Sequence, residues 1–267
     1  MFEKMLLGRY VQIDSWVHRL DPRTKLMATL FFIVIIFLAD HWLAYSLLTV
    51  VVLLAIKLSN INPSFFFNGV KPMIWLILFT VVFQLLFTTG GQVYFKFWIF
   101  QVTSLGVLNA IFMFVRLVLI IMMSTLLTLT TAPLELTDGI EHMLRPLSKI
   151  GFPSHEIALM LSIALRYVPT LMDEAMKIMN AQRARGVEFD EGSFIDRVKA
   201  MIPILIPLFV SAFNRAEEMA IAMEARGYQG GEGRTKYRQL AYTRQDSVVW
   251  IVFVLLAVIL LGIKFYL

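Results

Sequence analysis

The sequence predicts an all-α, polytopic membrane protein. It has about five transmembrane helices and, before the last of them, a cytoplasmic domain of about three long helices. Three observations predict this. Of 267 residues, 58% are hydrophobic and 16% charged, against roughly 45–50% and about 25% in average globular chains. The mean hydropathy of +0.74 agrees. The apolar residues gather into five runs, and the long stretch before the last run carries helical periodicity with ordinary soluble composition. The 22 Phe, 5 Trp and 15 Met exclude a solvated coil. The lack of Cys excludes a disulfide framework, a thiolate metal site, an iron–sulfur cluster and a cysteine nucleophile. A net charge of +5 is modest and fits cytoplasmic loops better than nucleic-acid binding.

Taken in order, residues 1–23 form a polar cytoplasmic N-terminal segment and 24–131 hold transmembrane helices one to four. The first run, Leu26 to Ala39, ends at Asp40-His41. The second, Trp42 to Ile56, ends at Lys57. The third runs from Met73 to Phe87 and the fourth from Leu105 to Thr131. Crossing a hydrocarbon core takes about 20 helical residues, so flanking residues such as Thr24, Lys25 and Leu58 extend the short first two. The first run is not expected to be a signal peptide, because it follows a polar segment and leads straight into a second span. Asp21-Pro22 reads as the start of helix one, with Asp as N-cap and Pro at the first position.

Lysine and arginine set the orientation. The N-terminal segment carries Lys4, Arg9, Arg19, Arg23 and Lys25, whereas the Asp40-His41 turn carries none. Lys57 and Lys71 lie between spans two and three, and only Lys96, among aromatics, between three and four. The N-terminus is therefore expected in the cytoplasm. Residues 132–245 then lie inside as well, and 246–267 form transmembrane helix five with a short external tail.

Within 132–245, Pro133 starts a helix running to about Lys149. Ser154 reads as the N-cap of a second helix ending at Gly186, with Leu161, Ala164, Leu165, Val168, Leu171, Met172, Ala175 and Met179 at three and four spacing. A third runs from near Ser193 to Arg226 and stops at Gly227. Its apolar centre, Met201 to Phe213, is too short to span and reads as buried against other helices or lying in the interface. The Gly-rich basic segment that follows, with Arg234, Lys236, Arg238 and Arg244, lacks the GxxxxGK[ST] phosphate-loop pattern. It reads as a return to the membrane surface, where anionic headgroups meet its charges.

Two helix ends repeat. Residues 181–186 read Ala-Gln-Arg-Ala-Arg-Gly and 222–227 read Ala-Met-Glu-Ala-Arg-Gly, 41 residues apart. Capping explains each alone: Gly accepts a left-handed backbone and Arg complements the helix dipole. Repetition at the ends of two otherwise different helices suggests more. An Arg projecting from a helix tip is a forked donor suited to acidic or carbonyl-lined grooves.

At this point the chain resembles the transmembrane T component, EcfT, of energy-coupling factor (ECF) transporters. The resemblance rests on Gly8-Arg9-Tyr10, Ser15 to Leu26, Arg166-Tyr167-Val168-Pro169, Ala181 to Gly186 and Arg215-Ala216-Glu217 through Tyr228, and extends over essentially the whole chain. It implies a non-catalytic subunit that transports with partners. Two ABC ATPase subunits of the EcfA type bind ATP and Mg²⁺, and a membrane-embedded S component binds the vitamin or metal. This chain then holds no cofactor of its own and meets only those partners and the bilayer, with no nucleic acid. The resemblance makes the cytoplasmic helices coupling helices, and places Ala184, Arg185, Gly186 and Ala225, Arg226, Gly227 in grooves of the two ATPases.

Rival readings are weaker. A secondary transporter needs ionisable groups within the spans, and only Arg116 is there, either pairing with a backbone carbonyl or touching a partner. His18, His41, His142 and His155 form no HExxH or i,i+4 pair, which leaves a metalloenzyme little support. Asp173-Glu174 and Glu217-Glu218 read as solvated faces or local ion-pair partners. A conventional ABC permease subunit, forming its own substrate path, presents one coupling helix to one cassette. Two tips favour one subunit serving both. Eight Met between 132 and 226 either fill helix packing or give a partner-adaptable surface.

Overall fold

The structure, a computed structural model, describes residues 10–97, 100–189, 191–230 and 240–266. Lys4, Gly8, Arg9, Arg234, Lys236 and Arg238 lie outside the described residues. Nine α-helices appear among the described residues: α1 (Pro22–Ile35), α2 (Trp42–Leu58), α3 (Pro63–Val70), α4 (Ile74–Phe87), α5 (Ser104–Thr130), α6 (Pro133–Leu144), α7 (Ser154–Ala184), α8 (Phe194–Ala225) and α9 (Arg244–Tyr266). The chain forms two compact units, with the boundary inside α6. Residues 10–139 and 240–266 make a membrane unit, and α7 and α8 belong to the second.

All five apolar runs fold as helix, as an all-α membrane protein requires. Among the described residues, three helical stretches are long and apolar enough to cross a bilayer: Pro63–Phe87 with 25 residues, Ser104–Thr130 with 27 and Arg244–Phe265 with 22. Helix α2 has 17 residues, or roughly 26 Å at about 1.5 Å per residue. Helix α1 has 14 residues and continues as a 3₁₀ turn over Ile36–Leu38. The third run begins earlier than its hydropathy suggested, because Asn62 caps α3 by accepting from the Ser64 N–H at 3.0 Å and a 3₁₀ turn over Lys71–Met73 carries the helix through Pro72.

An element absent from the expected pattern is a hairpin between α4 and α5. Strand β1 (Val93–Phe97) pairs antiparallel with β2 (Phe100–Thr103), with Val93 opposite Thr103 and Phe97 opposite Phe100. The β-branched and aromatic residues suit a pleated strand.

The core of the membrane unit lies where α1, α2, α5 and α9 meet. Phe32, Ile36, Leu48, Val52, Leu129 and Leu260 are all 2% exposed or less. Burying one such side chain stabilises by roughly 1.5–3 kcal/mol in water. In lipid that term shrinks, and close packing and polar contacts take over.

Those polar contacts concentrate at one end. Asp21 caps α1, its Oδ1 accepting from the Arg23 N–H at 2.8 Å. The Arg23 guanidinium folds back onto the same carboxylate, Nε to Oδ1 at 3.0 Å and Nη2 to Oδ2 at 2.9 Å. Both side chains are buried, and the guanidinium covers the Tyr242 ring at 4.2 Å. The Asp21 N–H donates to Asp246 Oδ1 at 2.9 Å, while Asp246 Oδ2 accepts from the Thr243 N–H and hydroxyl, both at 2.7 Å. Lys25 Nζ donates to the carbonyls of His18 and Thr130, each at 2.9 Å. One cluster thus joins the starts of α1 and α9 to the end of α5. At the opposite ends of α1 and α9, Lys264 pairs with Asp40 at 2.8 Å.

The segment before α1 is held by the same end. The Val11 N–H donates to the Leu129 carbonyl at 3.0 Å. His18 bridges Ser15 Oγ, 2.7 Å from Nδ1, and the Val11 carbonyl, 3.0 Å from Nε2. Arg116 answers the question of the lone intramembrane cation. Its Nε donates to the Tyr45 hydroxyl at 3.0 Å and its Nη2 to the Ala39 carbonyl at 3.2 Å, beside the Phe37 ring.

Two outcomes are expected. Asp21→Ala leaves the buried Arg23 charge unpaired, which costs about 3–5 kcal/mol, and should lower the unfolding temperature of the detergent-solubilised chain far more than Asp14→Ala on the exposed surface. Burial holds the His18 imidazole below its ordinary value of 6.5, against the raising effect of its bond to Val11. The neutral ring therefore belongs to the folded segment. Its contribution is complete above pH 6.5 and is lost as pH falls through the depressed value. A ¹⁵N-histidine NMR titration should show His18 protonating at lower pH than a denatured control.

Candidate functional site

The two repeated tips have the same backbone. Helix α7 ends with Arg185 at φ −87°, ψ 2°, and α8 ends with Arg226 at φ −86°, ψ 5°. The next residue is left-handed in both, Gly186 at φ +89° and Gly227 at φ +69°. The Gly186 N–H donates to the Arg183 carbonyl at 2.9 Å and the Val187 N–H to the Gln182 carbonyl at 3.0 Å. At the other tip the Gly227 N–H donates to Glu224 at 2.9 Å and the Tyr228 N–H to Met223 at 3.0 Å. These paired bonds are a Schellman motif at each tip.

No heavy atom lies within 4 Å of where a Cβ would stand on either glycine. The left-handed backbone, not crowding, is what asks for glycine there. Ala184, Arg185, Gly186, Ala225, Arg226 and Gly227 are all exposed. Each Arg backbone is fixed, and its guanidinium makes no ion pair among the described residues. Near the first tip, Arg183 stands over the Phe189 ring at 5.7 Å.

Helices α7 and α8 pack together, and an ion pair marks their contact. Arg215 Nη2 donates to Glu174 Oε2 at 3.2 Å. Ser211, one turn before Arg215, faces the same carboxyl. These two, Ser211 foremost, hold the carboxyl below the usual range for glutamate. Of the two readings of Asp173-Glu174, Asp173 is exposed as a solvated face would be, and Glu174 is an ion-pair partner of an Arg, on the other helix and not its own. Glu174 stands 11 residues before Arg185, and Arg215 stands 11 before Arg226. Each tip therefore lies ~16 Å along its helix from the contact, at about 1.5 Å per residue. Laying one A-x-x-A-R-G stretch over the other would have revealed this, since the two residues share an offset and carry opposite charges.

These helices also expose large apolar side chains. Only Ser154 and Ala158 are buried in α7, and only Ile204 in α8. Phe194 is 80% exposed, Phe209 66%, Phe213 61% and Met160 65%. Within Met201 to Phe213 only Ile204 is buried, so most of this stretch is left uncovered. None of the eight Met between 132 and 226 is buried. The start of α7 also differs from expectation: Ser154 is its first residue, and Pro153 occupies the cap position with no side-chain bond. Ser193, by contrast, caps α8 in a reciprocal box with Asp196, whose carboxylate accepts from the Ser193 N–H at 3.2 Å. No group of three His, Asp or Glu that could hold a metal occurs among the described residues.

Comparison with known proteins gives this arrangement a setting. The profile of the CbiQ family, described as a cobalt transport protein, matches residues 14–237. Three relatives carry the name energy-coupling factor transporter transmembrane protein EcfT. The one from Lacticaseibacillus paracasei is 59% identical over 246 residues, 92% of this chain and 93% of its own. That from Lactococcus lactis is 54% identical over 259 residues, 97% of each chain. That from Bacillus subtilis is 50% identical over 264 residues, 99% of this chain and all of its own. With similarity along nearly its whole length, and with the helical, membrane-spanning architecture above, the chain belongs to the CbiQ/EcfT family of transporter membrane components.

Proposed function

We propose that this chain is the coupling subunit of an ECF-type importer, passing ATP-driven movement of two cytoplasmic ATPase subunits to a membrane-embedded S component that binds a vitamin or metal. The observation that carries this is the pair of equivalent tips. Ala184-Arg185-Gly186 and Ala225-Arg226-Gly227 share one backbone conformation, are exposed, and stand equally far from the Glu174–Arg215 contact. Two like tips suit two like grooves, one on each ATPase. ATP and Mg²⁺ then belong to the partner subunits and no catalytic step to this chain.

The uncovered apolar surface of α7 and α8 suits the S component. Phe209 and Phe213 supply rigid rings, and unbranched Met side chains adapt to partners of different shape. Exposed large apolar side chains of this kind suit an interaction site in a folded protein. The lysine and arginine distribution supports a cytoplasmic N-terminus and an external C-terminus. The α7–α8 contact serves as the pivot through which a push on either tip reaches the rest of the pair.

Two experiments test this reading. Arg185→Glu with Arg226→Glu should abolish co-purification of ATPase subunits, since a charged anchor at a protein interface is worth about 2 kcal/mol or more, about 30-fold in affinity. Each single variant should retain one ATPase. Normal uptake by the double variant would falsify the assignment. At the pivot, Arg215→Glu should raise ATP hydrolysed per substrate imported without lowering the unfolding temperature. Combining it with Glu174→Arg should restore the ratio, and an unchanged ratio in the single variant removes the pivot role.

A further inference from the structure

A cavity of about 730 Å³ lies between the end of α2 and α3, in the membrane unit. Its size falls in the range of small-molecule sites, about 300–1,000 Å³. Its lining has two characters. Lys57, Asn60 and Asn62 form a polar edge, while Leu53, Phe67 and Met122 are apolar. The floor is closed by Phe66 at 1% exposure and by Ile56 and Ile61, both buried.

Local backbone chemistry builds the polar edge. Helix α2 ends at Ser59, whose hydroxyl donates to the Ile56 carbonyl at 2.7 Å. Asn60 then takes a left-handed backbone, φ 54°, which asparagine tolerates better than other side chains. Asn62 Oδ1 is spent on capping α3, which leaves its amide NH₂ without a partner among the described residues. Lys57 forms no ion pair among them, and no carboxylate lines the cavity. One cation and two asparagine amides therefore meet at one edge, with nothing anionic to answer them.

The apolar side opens towards the hydrocarbon. Leu53 and Phe67 are 54% and 64% exposed on helices of the membrane unit. Leu58, next to Lys57, lines a separate cavity together with Lys25, Thr130 and Val248. The site thus sits at the end of the bundle where Asp21, Arg23 and Asp246 are clustered and where lysine and arginine concentrate. A water-soluble anion would use the polar edge but leave the apolar wall bare, and a hydrocarbon chain would do the reverse. A phospholipid with a net negative head uses both, and basic pockets between membrane helices are suited to such heads.

We propose that this cavity binds one anionic phospholipid, its phosphate on Lys57 with Asn60 and Asn62, and one acyl chain along Leu53, Phe67 and Met122. The lipid is a fixed part of the membrane unit, wedged between α2 and α3. The assignment is independent of the coupling function.

The test uses the full chain, purified in detergent, stripped of lipid, and offered phosphatidylglycerol and phosphatidylcholine at equal concentration. Native mass spectrometry should show one phosphatidylglycerol per chain, preferred by about fivefold. Lys57→Glu should abolish the preference, and Lys71→Glu, on an exposed lysine outside the cavity, should keep it. Met122→Trp, which fills the cavity without changing charge, should lose the adduct altogether, and it reads the site should Lys57→Glu insert poorly. Equal binding of the two lipids by the unaltered chain, or an adduct that survives in Met122→Trp, overturns the proposal.

Discussion

The membrane unit depends on the carboxylates of Asp21 and Asp246, because they set where two helices begin and hold both beginnings together. Asp21 caps α1 and neutralises Arg23, and its own backbone N–H is satisfied by Asp246, which in turn caps α9. Lys25 adds the end of α5 by donating to the Thr130 carbonyl. Charged groups so deeply buried are costly unless every partner is present, and here the partners come from three helices. Apolar packing between helices in lipid discriminates weakly among arrangements. A polar cluster that is complete in only one arrangement discriminates strongly.

The same logic of paired ends recurs at the tips of α7 and α8, with a different outcome. At the α1/α9 end, helix termini are satisfied by side chains and become buried. At Arg185 and Arg226 the backbone satisfies itself through the Schellman bonds, and the side chains stay outside. A terminus closed by its own main chain leaves its arginine for another molecule. The Glu174–Arg215 contact completes the device: α7 and α8 bury little of their own surface, so a few polar atoms locate one helix on the other while the apolar faces stay available.

Much of this was legible in the sequence because it is local. Asp21-Pro22 announces a helix start, Gly186 and Gly227 announce helix stops, and the apolar runs announce membrane helices. Each signal lies within a few residues of its effect. What escaped depends on distance. Asp21 and Asp246 are 225 residues apart, and neither is marked in sequence as the other's partner. Arg116 read as a lone charge because Tyr45 and the Ala39 carbonyl come from other segments. The β1–β2 hairpin was hidden in a stretch that read only as the loop between spans three and four. Ser154 resembled a cap by type, yet Pro153 took the position.

The 225-residue separation within the Asp21 cluster also bears on how the chain is made. Ribosomal synthesis delivers α1 early and α9 last. Through most of translation the Asp21 N–H therefore lacks its acceptor, while Lys25 waits for the Thr130 carbonyl, 105 residues on. The first helix can enter the bilayer with Arg23 already paired to its neighbour Asp21, but the Asp21 N–H and one Lys25 bond stay unmade. Arrival of Asp246 closes the cluster and removes those groups from solvent. The last helix thus supplies the final acceptor of a cluster that the first helix begins.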